Sequence, residues 1–168
     1  MMWNCMDYEL IRGKLIHRTT PHYDHQRISL RVSMAIEQYV SEHCNKCEVV
    51  TAPFSVVLDE ENATVVQPDI SVICNKKLIK EGMCFGPPDI IVEILSPSNQ
   101  KYDLFEKLEL YRYYDVGEYW IVDPMKKRVI MYDIEADGTP MIAGFDTYIS
   151  SVRLKGFRLC VSEVKKRK

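Results

Sequence analysis

The sequence predicts an α+β domain of mixed α/β type, in which helices cover a central mixed sheet. Two long segments have helical periodicity, several β-rich apolar runs lie between and after them, and an alternating hairpin precedes them. The 168 residues and the 46% hydrophobic composition are typical of a globular protein, so residues 1–168 are interpreted as a single domain.

The chain begins with a predicted β-hairpin and a long helix. Residues 8–17 alternate in polarity around a turn at Gly13, as hairpins do. The segment 19–21 then ends the strand and offers a helix start. From Asp24 to about His43, apolar residues recur at the spacing of one face of an amphipathic helix.

A group of predicted strands follows this helix. They comprise residues 47–51, 54–58, 65–74 and 89–95. Pro68 interrupts the third run, which suits a strand start, a bulge or an edge position. The last run is almost continuously apolar and is therefore expected to be buried on both faces of a sheet. Residues 75–85 between these runs are predicted to be a short helix or a loop.

The second helix is predicted over residues 103–113, with Gly117 suited to its end. Residues 118–122 form the next predicted strand, and residues 128–134 pair with it as a hairpin. The remainder is predicted to contain short strands and to end in a basic, solvated tail.

Composition limits the function classes. The formal net charge is −2 and the isoelectric point is about 6.1, so a nucleic-acid-binding surface must be confined to one groove. No window of about 18 apolar residues and no signal peptide are recognised, so we expect a cytoplasmic protein without a membrane partner. Its six cysteines are then expected to be reduced. Cys44-x-x-Cys47 beside His43 suggests zinc, but no second ligand pair at zinc spacing accompanies it.

Two carboxylates stand where core strands are normally apolar. Asp69 follows Pro68, and Glu93 interrupts the last apolar run. A buried acid is costly unless it is paired or bound to a metal, and two neighbouring acids repel each other unless a cation lies between them. Two alternatives remain open: Asp69 caps a turn, or Glu93 forms a structural ion pair with Lys107.

These residue types suit phosphodiester hydrolysis, which needs a divalent cation, an activated water and positive charge near the phosphate. Mg²⁺ or Mn²⁺ prefers oxygen ligands and keeps several waters, so Asp69, Glu93 and the main-chain carbonyl of Ile94 form a sufficient ligand set. Lys107, on the following helix, is the candidate that activates water or stabilises the developing charge.

Three further side chains are candidates for supporting roles. Asp103 and Tyr111 lie one turn before and after Lys107 on the predicted helix, with core packing as the alternative for Tyr111. His25 begins the first helix and is interpreted as a site residue, a cap or a surface residue.

Together these motifs resemble a known family. The segments concerned are Gln67-Pro68-Asp69, Val92-Glu93-Ile94-Leu95-Ser96-Pro97-Ser98, Asp103-x-x-x-Lys107-x-x-x-Tyr111 and Glu118-Tyr119-Trp120-Ile121-Val122-Asp123-Pro124. They are similar to a widespread bacterial family of putative restriction endonucleases in the PD-(D/E)XK, or restriction-endonuclease-like, superfamily. Tyr8-Glu9-Leu10 and the helix start at His25-Gln26 share the likeness, which spans about residues 8–157.

The resemblance implies an αβββαβ core, with Asp69 and Glu93 as ligands of Mg²⁺ or Mn²⁺. It also implies nucleic acid as the substrate, with DNA as the expected kind, and a homodimer. Leu95 stands where the superfamily pattern has its lysine, and Lys107 on the following helix is the position that matches this family. The expected function is metal-dependent endonuclease activity. A non-catalytic binding or assembly module on the same fold and a metal-dependent phosphodiesterase acting on RNA are the alternatives.

Overall fold

The computed structural model describes residues 8–18, 20–44, 46–96, 105–136 and 139–166. The upstream elements are β1 (Tyr8–Ile11), β2 (Lys14–His17), α1 (Tyr23–His43), β3 (Glu48–Thr51), β4 (Val56–Asp59), β5 (Thr64–Val66) and β6 (Ile70–Ile73), followed by a 3-10 turn (Lys76–Leu78). The downstream elements are β7 (Ile79–Lys80), β8 (Met83–Phe85), β9 (Ile90–Ile94), α2 (Lys107–Tyr113), β10 (Glu118–Asp123), β11 (Arg128–Asp133), β12 (Met141–Gly144), β13 (Ile149–Ser150), β14 (Arg158–Leu159) and α3 (Val161–Lys166).

The central sheet is mixed and has the strand order β12-β11-β10-β9-β6-β3. Strands β3, β6 and β9 pair antiparallel, whereas β10 lies parallel to β9 because α2 carries the chain across the sheet between them. Along the chain, α1, β3, β6, β9, α2 and β10 give the order αβββαβ. The predicted fold class and core are therefore confirmed.

Alternation along β9 divides the hydrophobic core into two layers. Ile90, Val92 and Ile94 belong to the layer that contains the apolar faces of α1 and α3. Ile91 and Leu95 point to the opposite side, where they join the layer that contains α2. The near-continuous apolar run predicted this double burial correctly, and it leaves Glu93 on the α2 side of the sheet.

A second six-stranded sheet, with the order β2-β1-β5-β4-β8-β7, was not predicted. Its buried residues Val56, Leu58, Val66 and Cys84 belong to the core layer of α2. The N-terminal hairpin is part of this sheet because β1 pairs with β5. The prediction of one strand over residues 65–74 was wrong, because the run divides into β5 and β6, which belong to different sheets. Pro68 lies at the division, where its missing N–H cannot serve a strand ladder.

Gly117 has a different role from the helix end that the sequence predicted. Helix α2 ends earlier, at Tyr113, and Gly117 lies beside the start of β9. A Cβ atom on Gly117 would lie 2.4 Å from the main-chain oxygen of Asp89. Glycine is therefore required by the close approach of two backbones.

The C-terminal part also differs from the prediction. Short strands do occur there, but Val161–Lys166 is a helix, α3, whose first residue is buried against the layer of α1. Six residues are too few to give a clear helical period in the sequence. Within the described residues, none of the helices is long and apolar enough to cross a membrane.

Candidate active site

The central sheet brings Asp69 and Glu93 to neighbouring strands. Asp69 immediately precedes β6, Glu93 lies within β9, and Ile70 is paired with Val92. The main-chain N–H of Ile94 donates to Asp69 Oδ2 at 2.8 Å. The carboxyl group of Asp69 is thus fixed beside the backbone that carries Glu93, and both side chains are buried.

Helix α2 supplies Lys107 and Tyr111 from the side of the sheet to which Glu93 points. Lys107 Nζ donates to Glu93 Oε1 at 2.7 Å, and the Tyr111 hydroxyl donates to the same oxygen at 3.1 Å. The two residues are four positions apart and therefore share one helix face. Lys107 is only 4% exposed, so it is a buried lysine and not a surface residue. The ion pair that was the alternative for Glu93 is present.

Glu9 completes the cluster from the second sheet. Glu9 Oε1 accepts a hydrogen bond from Lys107 Nζ at 3.1 Å and another from the main-chain N–H of Gln67 at 3.0 Å. Glu9 was not predicted to be a site residue, because alternation in a hairpin gives an acid a solvent-facing position. Its place in the Tyr8-Glu9-Leu10 segment that shares the family resemblance is a signal that could have identified it.

Two basic side chains approach Asp69 from the N-terminal region. His25 Nε2 lies 3.0 Å from Asp69 Oδ2, so the first turn of α1 contributes to the site. Arg18 donates from Nη1 to Gln67 Oε1 at 2.7 Å, and its Nη2 lies 4.0 Å from Asp69 Oδ1. The Arg18 side chain is 25% exposed and connects the cluster to the surface. His25 was a predicted candidate, whereas Arg18 was not.

Carboxylates and basic groups alternate in this cluster. Among the described residues, Glu9, Asp69 and Glu93 supply three carboxyl groups, and Lys107, Arg18 and His25 supply three basic groups. Neighbouring carboxylates repel one another, and a bound cation reduces that repulsion. The donor set therefore suits a divalent cation chemically. In the described part of the chain, a separate group of three cysteines also has its potential ligand atoms within 4.8 Å of one another. That group is not part of the carboxylate cluster.

Two predicted details stay predictions. Asp103 lies outside the described residues, so its relation to Lys107 is not defined. Ile94 contributes its N–H to Asp69, and the role of its carbonyl oxygen as a metal ligand is an expectation.

Residues 105–106 form a wider π-type turn before Lys107, a local irregularity that often accompanies functional sites.

Comparison with known proteins identifies the family. The family model described as "Uma2: Putative restriction endonuclease" matches residues 5–159, which is most of the chain. The chain belongs to the Uma2 family.

Two known proteins are similar to this Uma2 protein, one in sequence and one in structure. An uncharacterised protein of Synechocystis sp. is 27% identical over 140 residues, which cover 82% of this chain and 72% of that protein. A crystal structure of a putative nuclease of the DUF820 family from Anabaena variabilis superposes with a TM-score of 0.77 and 19% identity. The match covers 94% of this chain and 89% of the other. At that identity, the structural likeness supports the fold alone.

Proposed function

We propose that this Uma2 protein is a metal-dependent endonuclease that hydrolyses phosphodiester bonds in DNA. One observation carries the proposal: Asp69, Glu93 and Lys107, from three separate elements, converge in one buried polar cluster. Buried charged groups of this kind are expensive to the fold, so their convergence favours a catalytic role over a purely structural one. The family to which the chain belongs supports the same class of reaction.

Asp69 and Glu93 would hold Mg²⁺ or Mn²⁺, together with the main-chain carbonyl of Ile94. The fit is chemical, since carboxylate and carbonyl oxygens are the ligands that these ions prefer. When bound, the ion supplies a Lewis acid and lowers the pKa of a coordinated water. The hydrogen bond from Ile94 N–H leaves Asp69 Oδ1 as the carboxylate oxygen not used by the backbone.

Lys107 would place a positive charge where the phosphate accumulates negative charge. Its ammonium group is held between Glu93 and Glu9, at 2.7 and 3.1 Å, so its position is fixed before substrate arrives. A preorganised charge in a site with little water is worth more than the same charge in solvent. Tyr111 orients Glu93 by donating to Oε1. Leu95, at the usual lysine position, is buried in the apolar layer and takes no part.

The substrate would approach from the side of Arg18 and His25. Arg18 is partly exposed and presents a guanidinium group that matches phosphate geometry. His25 would hold Asp69 in its orientation through Nε2. One centre cuts one strand, so a homodimer that presents two centres to a duplex is part of the proposal.

A second candidate function is a non-catalytic binding or assembly module. The direct contact between Lys107 Nζ and Glu93 Oε1 favours it, because this pair neutralises Glu93 without a metal ion. The two candidates differ in one property, which is the affinity of the folded chain for a divalent cation.

Titration calorimetry of the metal-free protein with Mn²⁺ tests the proposal directly. We expect one site per chain with micromolar to millimolar affinity, and we expect binding to be lost in Glu93→Gln, which removes a ligand charge without changing the shape of the side chain. Glu109→Gln is the matched control, since Glu109 is an exposed glutamate on α2. Absence of binding to the folded wild-type chain would favour the binding module. Binding combined with cleavage of RNA but not DNA would favour the RNA phosphodiesterase.

Glu9→Gln provides a graded prediction for the same site. The substitution keeps an acceptor for Gln67 N–H but removes one negative charge beside Lys107. We expect Mn²⁺ affinity to fall by about 10-fold or more, the range found when groups that support metal ligands are replaced. Glu61→Gln, in an exposed turn, should leave the affinity unchanged. Equal affinities for Glu9→Gln and wild type would remove Glu9 from the site.

A further inference from the structure

Three cysteine sulfur atoms meet where α1 ends and where β3 and β6 lie side by side. Cys44 is the residue after α1, Cys47 precedes β3, and Cys74 follows β6. Because Glu48 is paired with Ile73, the next pair along the antiparallel ladder is Cys47 and Cys74. The two cysteines are 27 residues apart in the sequence, so their proximity could not be predicted without the pairing of the strands.

Cys44 also lies beside this pair, because only a short connection joins α1 to β3. The N–H of Cys47 donates to the carbonyl oxygen of Cys44 at 3.3 Å, so the two residues lie close together. Cys44 Sγ lies 3.2 Å from Cys47 Sγ. The donor sulfurs of Cys44, Cys47 and Cys74 all lie within 4.8 Å of one another. His43, which the sequence suggested as a companion ligand, instead stacks its ring on Tyr39 at 4.4 Å.

In the structure, Cys47 and Cys74 are joined as a disulfide and Cys44 is free. This differs from the expectation that the cysteines are reduced. The reason is geometric, since a cross-strand pair of cysteines is already close enough to be joined. The disulfide does not require the free thiol of Cys44. Because this thiol lies beside the disulfide, the three cysteines form one group, which we call the cysteine triad.

We propose that the reduced chain binds a thiophilic cation of the Zn²⁺ class through Cys44, Cys47 and Cys74. A dithiol reductant would first supply two electrons and two protons to the Cys47–Cys74 disulfide and become a disulfide itself. The cation then displaces the thiol protons as the three thiolates bind. Thiolates select soft cations, and a Zn–S distance of about 2.3 Å with tetrahedral angles sets sulfur atoms about 3.8 Å apart.

The position of the triad suits such a site. Cys44 and Cys74 are half-buried, so an ion can enter and a water can fill its fourth position, while Cys47 is buried. The ion would join the end of α1 to the two strands. It would be separate from the carboxylate cluster, because hard cations such as Mg²⁺ and Mn²⁺ prefer oxygen ligands. This inference therefore does not depend on the proposed nuclease function.

The test is a titration of the full, reduced chain with Zn²⁺ after anaerobic removal of the reductant. We expect one Zn²⁺ per chain by native mass spectrometry, a higher Tm when Zn²⁺ is present, and protection of three thiols from a thiol reagent. With Cd²⁺ as a probe, a thiolate-to-metal charge-transfer band should appear. The oxidised chain, with its disulfide intact, should bind neither ion tightly.

Variants locate the site. Cys44→Ser and Cys74→Ser should each weaken Zn²⁺ binding by about 100-fold or more, since even replacement of groups that only support ligands costs 10- to 100-fold. Cys84→Ser is the matched control, because burial, with a smaller effect from the Asp89 charge, raises the pKa of the Cys84 thiol to about 11 and keeps it protonated. Glu93→Gln should bind Zn²⁺ as wild type does, which separates this result from the carboxylate site.

Two results would overturn the proposal. One is a reduced wild-type chain that is folded by circular dichroism but binds no Zn²⁺ and shows no change in Tm. The other is a Cys44→Ser or Cys74→Ser variant with wild-type affinity. In both cases the triad would be a disulfide with a neighbouring thiol and nothing more.

Discussion

Glu93→Gln is expected to reduce Mn²⁺-dependent cleavage of DNA by about 10³-fold or more, because it removes a ligand charge and the partner of Lys107 together. Glu93 Oε1 accepts from both Lys107 Nζ and Tyr111 Oη. The amide of glutamine keeps the shape of the side chain, so the fold should be preserved. Cleavage of a supercoiled plasmid over time measures the effect.

Asp69→Asn and Lys107→Ala should each have an effect of the same order. Groups that act as one catalytic unit are not additive, so the double variant Glu93→Gln with Lys107→Ala should be little slower than either single variant. Glu109→Gln, on the exposed side of α2, should cut at the wild-type rate. A Glu93→Gln enzyme with more than about a tenth of the wild-type rate would show that Glu93 is not in the catalytic centre.

Glu93 and Lys107 could be predicted from local sequence patterns. Glu93 stands inside an apolar run that predicts burial on both faces, and Lys107 has a helical spacing relative to Tyr111. Both signals are present in the sequence without any knowledge of the tertiary structure. The β9–α2–β10 crossover then brings them together, since a parallel pair of strands requires the helix to cover one face of the sheet.

Glu9 and Arg18 could not be predicted in the same way. Glu9 obeys the alternation of its hairpin, and Arg18 lies in an ordinary polar segment. Their roles arise from the second sheet, which places β1 beside β5 and so brings Glu9 to Gln67. That sheet is built from strands of two to four residues, which give too few alternations for a pattern to be recognised.

The cysteine triad illustrates the same limit. Cys44 and Cys47 have a spacing that suggests a metal site, but the third cysteine of the group, Cys74, lies 27 residues beyond Cys47, just after β6. Only the register of β3 against β6 reveals it. Sequence patterns thus identified residues that have a local signal, such as Glu93 within its apolar run. Residues that are brought together by long-range strand pairing could be identified only from the structure.

Glu118→Gln is expected to destabilise the protein by about 3 kcal/mol, although Glu118 is outside the proposed active site. Its carboxylate is fully buried at the start of β10 and accepts hydrogen bonds from several donors. Trp120 Nε1 donates at 2.7 Å, Ser151 Oγ at 3.0 Å, and the main-chain N–H groups of Val152 and Arg153 at 2.6 Å each. An amide would turn one acceptor into a donor that faces other donors, which costs about 1–3 kcal/mol per unsatisfied group.

Urea unfolding measures this prediction, with Glu135→Gln as its control. Glu135 is 69% exposed and pairs with Arg153, and exposed ion pairs of this kind contribute only about 0–1 kcal/mol. Ser151→Ala should fall between the two variants, because it removes one donor to Glu118 and one acceptor for the N–H of Leu154. If the free energy of unfolding of the Glu118→Gln variant were no lower than that of the Glu135→Gln variant, the Glu118 carboxylate would not stabilise the packing of residues 151–153 against β10. Its burial would then need a functional explanation, as the burial of Glu93 does.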